Sequence, residues 1–438
     1  MRRIVLWGAA AAAVGTTVVG AAPSAWADEP AGTSRVTIGY DGEEANGSST
    51  FSAISGDGRV VAFQSNALNI VRGDLTRNSD VFVRDLATGV SSRVSVSSAG
   101  VPSRGSSSSV ALSYDGRVVV FQSAASDLVP GDTNKVADIF VHDRETGATT
   151  RVSVATDGTE GNGPSTAPQV SADGRWVTFG TTATNLAPGA VGPKSKVLLH
   201  DRETGATTEV SVRPDGTSGT ADSQLPTISA DGRYVAFLSY DWRIVPAARS
   251  VHLSAYVRDV QAGTTVRINN TPLSSLGYAI PKPHVPVTVS ADGRYASILT
   301  DGVMVEGDDN RVTDVYRVEL ATGAVVRVSV GADGVQADRA SGLTVTGAPM
   351  SADGRYVAFD SEARNLVADD ANEARDIFVR DTVDGTTTRV SAGAVPSTRG
   401  SYFPAISADG GAVVFSTDGA LVDGDTNNLS DIHLHRLR

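Results

Sequence analysis

Ser113-Tyr114-Asp115-Gly116-Arg117-Val118-Val119-Val120-Phe121 is one copy of a phrase that decides the fold. Other copies start at Ser55, Ser171, Ser229, Ser290 and Ser351, and a last one at Ser407 puts Gly411 in place of the Arg. In chain order the intervals are 58, 58, 58, 61, 61 and 56 residues. Self-similarity at a near-fixed period is the signature of a repeat architecture. The unit around this copy reads as four short strands. Val110 to Ser113 is a short apolar run, and Asp115-Gly116 turns the chain. Arg117 to Gln122 is β-branched and aromatic. A long loop leads to the alternating segment Asp138 to His142. Thr146-Gly147 turns again, and Thr149 to Val154 is β-branched. Gly and Asp stand where turns need positive φ or a side-chain hydrogen bond to the backbone. Helical apolar spacing is absent beyond the N-terminal segment. Seven such units predict an all-β fold, a seven-bladed β-propeller of four-stranded blades.

The two ends of the repeat array predict how the ring closes. The seventh unit stops after its third strand, Ile432 to His435. A fourth-strand sequence, Ser34-Arg35-Val36-Thr37-Ile38, stands alone ahead of unit one, followed by Asp41-Gly42 as other fourth strands are followed by Asp-Gly. Pairing the two would complete the last blade and remove two open sheet edges. Residues 28–438 then form a single propeller domain, although length alone would suggest two to four domains.

Composition narrows the function classes. Of 438 residues, 40 % are hydrophobic, enough for a packed core. No Cys is present, which excludes disulfides, thiolate metal sites and cysteine nucleophiles. A net charge of −12 argues against nucleic acid as a partner. Residues 1–27 have the pattern of a secretory signal: Arg2-Arg3, an apolar stretch from Ile4 to Ala22, and the small-x-small site Ala25-Trp26-Ala27. The expectation is a secreted or extracytoplasmic protein of the cell envelope. No later apolar run is long enough to span a membrane.

The repeat, with its S-x-D-G-R-x-V-x-F and D-I-F-V-x-D segments, resembles the WD-like repeat of TolB-type β-propellers over residues 34 to 438. Where members of that family often show S-P-D-G, this chain has Ser-Ala-Asp-Gly. The resemblance implies a bacterial envelope protein and a platform for protein interaction. Related propellers are also partner domains of serine peptidases and, occasionally, lyases; no catalytic motif of either can be carried to a position here.

Alternating strands put the Asp-Gly and Thr-Gly turns on one face of the ring and the two long loops of each unit on the other. Long loops on a rigid scaffold are where binding groups gather, so the long-loop face is the expected working surface. One of these loops carries a recurrent motif: Asp132-Asn134-Asp138, Asp308-Asn310-Asp314, Asp370-Asn372-Asp376 and Asp425-Asn427-Asp431, with Asp74, Thr76 and Asp80 in the first unit. Oxygens at positions 1, 3 and 7 could wrap Ca²⁺, the one candidate cofactor. The same residues could instead brace the loop without metal. Units three and four lack the motif, and unit four gains Tyr240, Trp242 and His252, with Tyr278 and His284 in the following loop. These five are the candidate partner or ligand site.

His142, His200 and His435 share a third-strand slot with Arg84, Arg258 and Arg380, which predicts exposed polar positions. His433 takes a slot held by Phe140 and Phe378 and is expected to be packed. No G-x-S-x-G, no phosphate-binding loop and no singled-out carboxylate pair is present. The leading expectation is an exported scaffold that binds protein, peptide or polysaccharide through its long-loop face. A polysaccharide lyase or hydrolase and a calcium-stabilised structural protein are the alternatives.

Overall fold

The computed structural model describes residues 31–189, 194–246, 252–269, 287–343, 348–392 and 398–437. They form seven four-stranded antiparallel sheets. Blade two shows the plan: Ser107–Leu112, Val118–Ser123, Asp138–Asp143 and Thr149–Arg151, paired in that order. Among the described residues the only helical element is one 3₁₀ turn, Trp242–Ile244. The fourth strand is shorter than the β-branched run suggests. The Val152 N–H still donates to Ile139 O at 2.9 Å, and then a side chain takes over: the Ile139 N–H donates to Ser153 Oγ at 3.0 Å.

Each S-x-D-G-R turn is wired by its own residues. Ser113 Oγ donates to Asp115 Oδ1 at 2.7 Å and accepts from the Val118 N–H at 2.9 Å, while Asp115 accepts from the Arg117 N–H at 3.0 Å. Gly116 is at φ +67°, and a Cβ there would sit 2.6 Å from the Val60 Cβ of the preceding blade. Glycine is required twice over, by conformation and by close approach. The Arg then reaches the end of its own third strand, as in Arg117–Asp143 at 2.8 Å and Arg175–Asp201 at 2.7 Å. The Arg117 guanidinium holds the Asp143 carboxyl down at about 2.

These turns also bond to one another around the ring. Asp57 N–H donates to Tyr114 O, Tyr114 to Ala172, Ala172 to Ala230 and Ala230 to Ala291, at 2.9–3.1 Å. Asp292 N–H donates to Ala352 O, Ala352 to Ala408, and Ala408 back to Gly56 of blade one, at 2.8–3.1 Å. The cycle passes through all seven blades and binds the short-turn face into one continuous belt.

The core lies within and between blades. Second and third strands oppose an aromatic pair in most blades: Phe63–Phe82, Phe121–Phe140, Phe237–Tyr256 and Phe359–Phe378, with ring centroids 5.7–6.0 Å apart. In blade seven the pair is Phe415–His433, and His433 is fully buried as its slot predicts.

Closure follows the predicted pairing. Gly32–Arg35 pairs antiparallel with Asp431–Arg436, with Gly32 opposite Arg436 and Arg35 opposite His433. The strand starts two residues earlier than the pattern suggested. Val36 continues the contact, its N–H donating to Ile432 O at 2.8 Å. Val36 and Ala45 join a buried cluster with Phe63 and Ile432, so blades one and seven share a core. The proposed signal segment, residues 1–27, lies outside the described residues.

Candidate binding face

The recurrent acidic loops sit on the long-loop face, and in blades one, two, five and six an arginine pairs with their carboxylates. In blade two, Arg151 of the fourth strand is 3.4 Å from Asp132, 3.6 Å from Asp138 and 2.9 Å from Glu160. Arg93 pairs with Asp74 and Asp80, Arg327 with Asp308, and Arg389 with Asp370 and Asp376. The Asn is a brace: Asn134 Nδ2 donates to Asp138 at 2.7 Å and to Gly161 O at 3.0 Å, while its Oδ1 accepts from the Val136 N–H. Asn310 repeats this with Asp314 and Ala337, and Asn427 donates to Ala45 O. Asn372 Oδ1 accepts from the Ala374 N–H at 3.1 Å. The residue after each Asn (Lys135, Arg311, Glu373, Asn428) is left-handed, at φ 56–60°. The last Asp of each loop is buried and accepts from a fourth-strand hydroxyl, as in Ser95–Asp80 at 2.8 Å and Ser153–Asp138 at 2.5 Å. Burial pushes Asp80 and Asp431 up to about 6. Among the described residues no group of three or more His, Asp or Glu is placed to hold a metal ion.

Blade three keeps the device with the charges exchanged. Lys196 stands in the buried Asp slot and Glu209 in the Arg slot. Lys196 Nζ donates to Gly219 O, and Glu209 accepts from Ser211 and Ser218 at 3.1 Å. The attraction between the two opposes the effect of burial on each.

The structure brings Tyr240 and Trp242 together on one loop of blade four. Tyr240 is 47 % exposed, and the Arg243 guanidinium lies over the Trp242 ring at 5.3 Å. Asp241 between them is buried and pins the loop, accepting from the Thr220 N–H at 2.8 Å and from Arg213 at 3.0 Å. His252 is exposed farther along the same loop. Tyr278 and His284 lie outside the described residues. The third-strand histidines are not the exposed groups their slot suggested. His142 and His200 are 7 % and 5 % exposed, because each ring turns onto the fourth strand, His142 to Thr149 at 2.9 Å and His200 to Thr207 at 2.8 Å. His435 does the same with Thr33.

A second constellation, not anticipated from the sequence, lies where blades six and seven meet at the channel. Among the described residues, the innermost strand of five blades carries a bulge that puts a non-glycine residue at positive φ: Phe51, Ser109, Ala167, Leu225 and Phe403, at 51–58°. Such a conformation costs about 1–2 kcal/mol per residue. Phe51 and Phe403 meet across the closure with centroids 4.7 Å apart, and Tyr402 lies 6.1 Å from Phe403. Beside Tyr402, Arg375 forks onto the buried Asp360 and onto Glu362. Asp418 accepts from Ser430 Oγ, and Arg399 donates to the Asp418 carbonyl at 3.3 Å. Gly342 stands where other blades have Thr50, Ser108 or Thr166, and a Cβ there would meet the Asp360 carboxylate at 2.6 Å. Burial, with the negative charges of Asp418, Asp360 and Glu362, raises the Tyr402 hydroxyl, and the Arg375 guanidinium opposes the rise. The signal was present in the sequence as departures from the repeat: Asp360 where Gln64 and Gln122 stand, Arg375 where Ser79 and Ala137 stand, Tyr402 where Thr50 stands. Toward the short-turn face the channel narrows to a cavity of about 100 Å³ walled by Ile54, Leu112, Val170, Ile228, Val289 and Met350.

No protein-family profile matches the chain, and no curated protein matches it. Solved structures do. The β-propeller domain of the Trilobed protease from Pyrococcus furiosus has a TM-score of 0.54 at 12 % identity, with 90 % of this chain and 96 % of that one covered. That domain is described as having an open velcro topology, whereas here Gly32–Arg35 completes blade seven. An oligogalacturonate lyase in complex with manganese gives a TM-score of 0.54 at 12 % identity, covering 94 % of each chain. TolB from Acinetobacter baumannii gives 0.39 at 16 % identity, covering 78 % of this chain, which spans 63 % of that one. What the chain shares with the first two, at 12 % identity, is the propeller fold.

Proposed function

We propose that this chain is an exported binding scaffold whose working surface is the long-loop face around the channel mouth. The observation that carries the reading is how unequally the two faces are used. On the short-turn face the turn backbones are bonded to one another through all seven blades, and four arginines there pair with their own third strands at 2.6–2.8 Å. Departures from the repeat that add aromatic or charged groups are found on the other face: Tyr240, Trp242 and His252 in blade four, and Asp360, Arg375 and Tyr402 at blades six and seven. A rigid ring that presents variable loops has the arrangement of a binding module. Export rests on the N-terminal signal pattern, and among the described residues no helix is long and apolar enough to cross a membrane.

The test compares faces. The immobilised chain is used to capture partners from a bacterial envelope extract, in parallel with Trp242→Ala, Tyr402→Ala and Arg117→Ala. The expected result is a partner held by wild type and by Arg117→Ala but released by at least one long-loop variant. Loss with Arg117→Ala alone, or capture indifferent to all three, overturns the reading.

A further inference from the structure

We propose that the channel mouth at blades six and seven is a saccharide-binding site that takes the end of an uncharged glycan. This deepens the binding-scaffold reading and rests on it. Three features of the site point to this chemistry. The first is an aromatic platform. Phe51, Tyr402 and Phe403 are only half-buried although they lie on innermost strands, and two of them are held in a left-handed backbone conformation. An aromatic face carries partial negative charge, and the axial C–H bonds of a pyranose present partial positive charge to it. A platform fixed by strained backbone loses little freedom when a ring stacks on it.

The second feature is a rigid set of planar hydrogen-bonding groups beside the platform. Arg375 Nη2 is 2.6 Å from Glu362, while its other arm is held by Asp360, which is 4 % exposed. A guanidinium anchored this way presents its carboxylate partners in fixed orientation, and the Glu362 side chain is still 49 % exposed. Carboxylates and guanidinium groups bond paired hydroxyls in a bidentate manner. Gly342 keeps open the space that the Asp360–Arg375 pair occupies.

The third feature is charge. Asp360, Glu362 and Asp418 stand against Arg375 and Arg399, an excess of one negative charge at the mouth. That balance disfavours a uronate or sulfated chain, and the small aromatic area suits one or two sugar rings better than a protein hot spot. With the aliphatic narrowing toward the opposite face, a chain end that stacks at the mouth fits better than a chain threaded through the ring.

The experiment is calorimetric titration of the full chain with cellohexaose, maltohexaose, chitohexaose and hexagalacturonate, repeated on Tyr402→Ala, Glu362→Gln and Arg117→Ala. Circular dichroism confirms that each variant is folded, and Glu362→Gln keeps volume at a half-exposed position. The expected result is that at least one neutral hexaose binds, that Tyr402→Ala and Glu362→Gln weaken it by tenfold or more, and that Arg117→Ala, on the short-turn face, leaves it unchanged. Preference for hexagalacturonate, or binding indifferent to Tyr402 and Glu362, overturns the site. If no hexaose binds while envelope capture still depends on the long loops, the glycan assignment falls and the binding-face reading stands. If capture fails as well, both fall.

Discussion

His433 is the residue where a repeat position was filled by a chemically different side chain. It packs as Phe140 and Phe378 do, against Phe415, yet neither ring nitrogen has a hydrogen-bond partner. Burial, with the charge of Arg35 nearby, pushes its pKa down to about 4 from 6.5. Between those values the unfolded chain holds a proton that the folded chain refuses. The neutral-His contribution is therefore fully present above pH 6.5 and is lost as pH falls toward 4, a difference of about 3 kcal/mol. Asp80 and Asp431, raised to about 6, act in the opposite sense and gain on acidification. A His433→Phe variant shares those groups and lacks the penalty. Its melting temperature should exceed that of wild type by a margin that widens from pH 7 to pH 4.5. A margin constant with pH would show that His433 does not stay neutral in the fold. The packed character of this residue was legible from its slot. The burial of His142 and His200 was not: Arg84, Arg258 and Arg380 in the same slot donate to the equivalent fourth-strand hydroxyl at 3.0–3.1 Å but, being longer, stay part-exposed, whereas the shorter imidazole is covered.

At the scale of the element, the repeated acidic loop is a cross-brace between third and fourth strands. Its Asp and Asn positions were legible in the sequence as a motif. The fourth-strand arginine was not, since Arg93 or Arg151 lies 13 residues beyond the last Asp of its loop and only antiparallel pairing brings the two together. Blade three makes the dependence plain: the exchange of Asp for Lys196 is matched by the exchange of Arg for Glu209. Breaking the brace on one side strands buried carboxylates. Arg151→Gln should therefore lower stability by about 3–5 kcal/mol, read as the midpoint of a denaturant titration. Because a guanidinium already lies between the carboxylates, wild type should melt at the same temperature in Ca²⁺ and in chelator. A rise with Ca²⁺ would return the metal to these loops. The blade six and seven mouth was harder to see, because Gly342, Asp360, Arg375 and Tyr402 are single departures spread over 61 positions. Each is unremarkable until the ring places them side by side.

For the whole molecule, the fold was almost fully legible, because period, turn chemistry and the displaced fourth strand are properties of the chain itself. Function was less so, since it lies in loops that the repeat does not constrain. The closure can be tested directly. Deleting residues 32–38 removes the outer strand of blade seven together with Arg35 and Thr37, whose hydroxyl is bonded to the buried Asp431. The loss should be at least about 3–5 kcal/mol, since it combines an exposed sheet edge with an unpartnered buried carboxylate. An unchanged melting temperature would mean that blade seven stands without its borrowed strand.

The same pairing has a mechanical side. Gly32 lies opposite Arg436, so polypeptide leaving the domain at either end departs from one point on the rim. Tension applied between those two points does not shear the ladder along its length. It opens the ladder one rung at a time, starting at Gly32–Arg436 and moving toward Arg35–His433. A tether at one end alone passes no load through the ring. The seam that completes the circle is thus the place where the molecule would yield first under a pull, and the other six blades, each sewn from its own continuous segment, would yield after it.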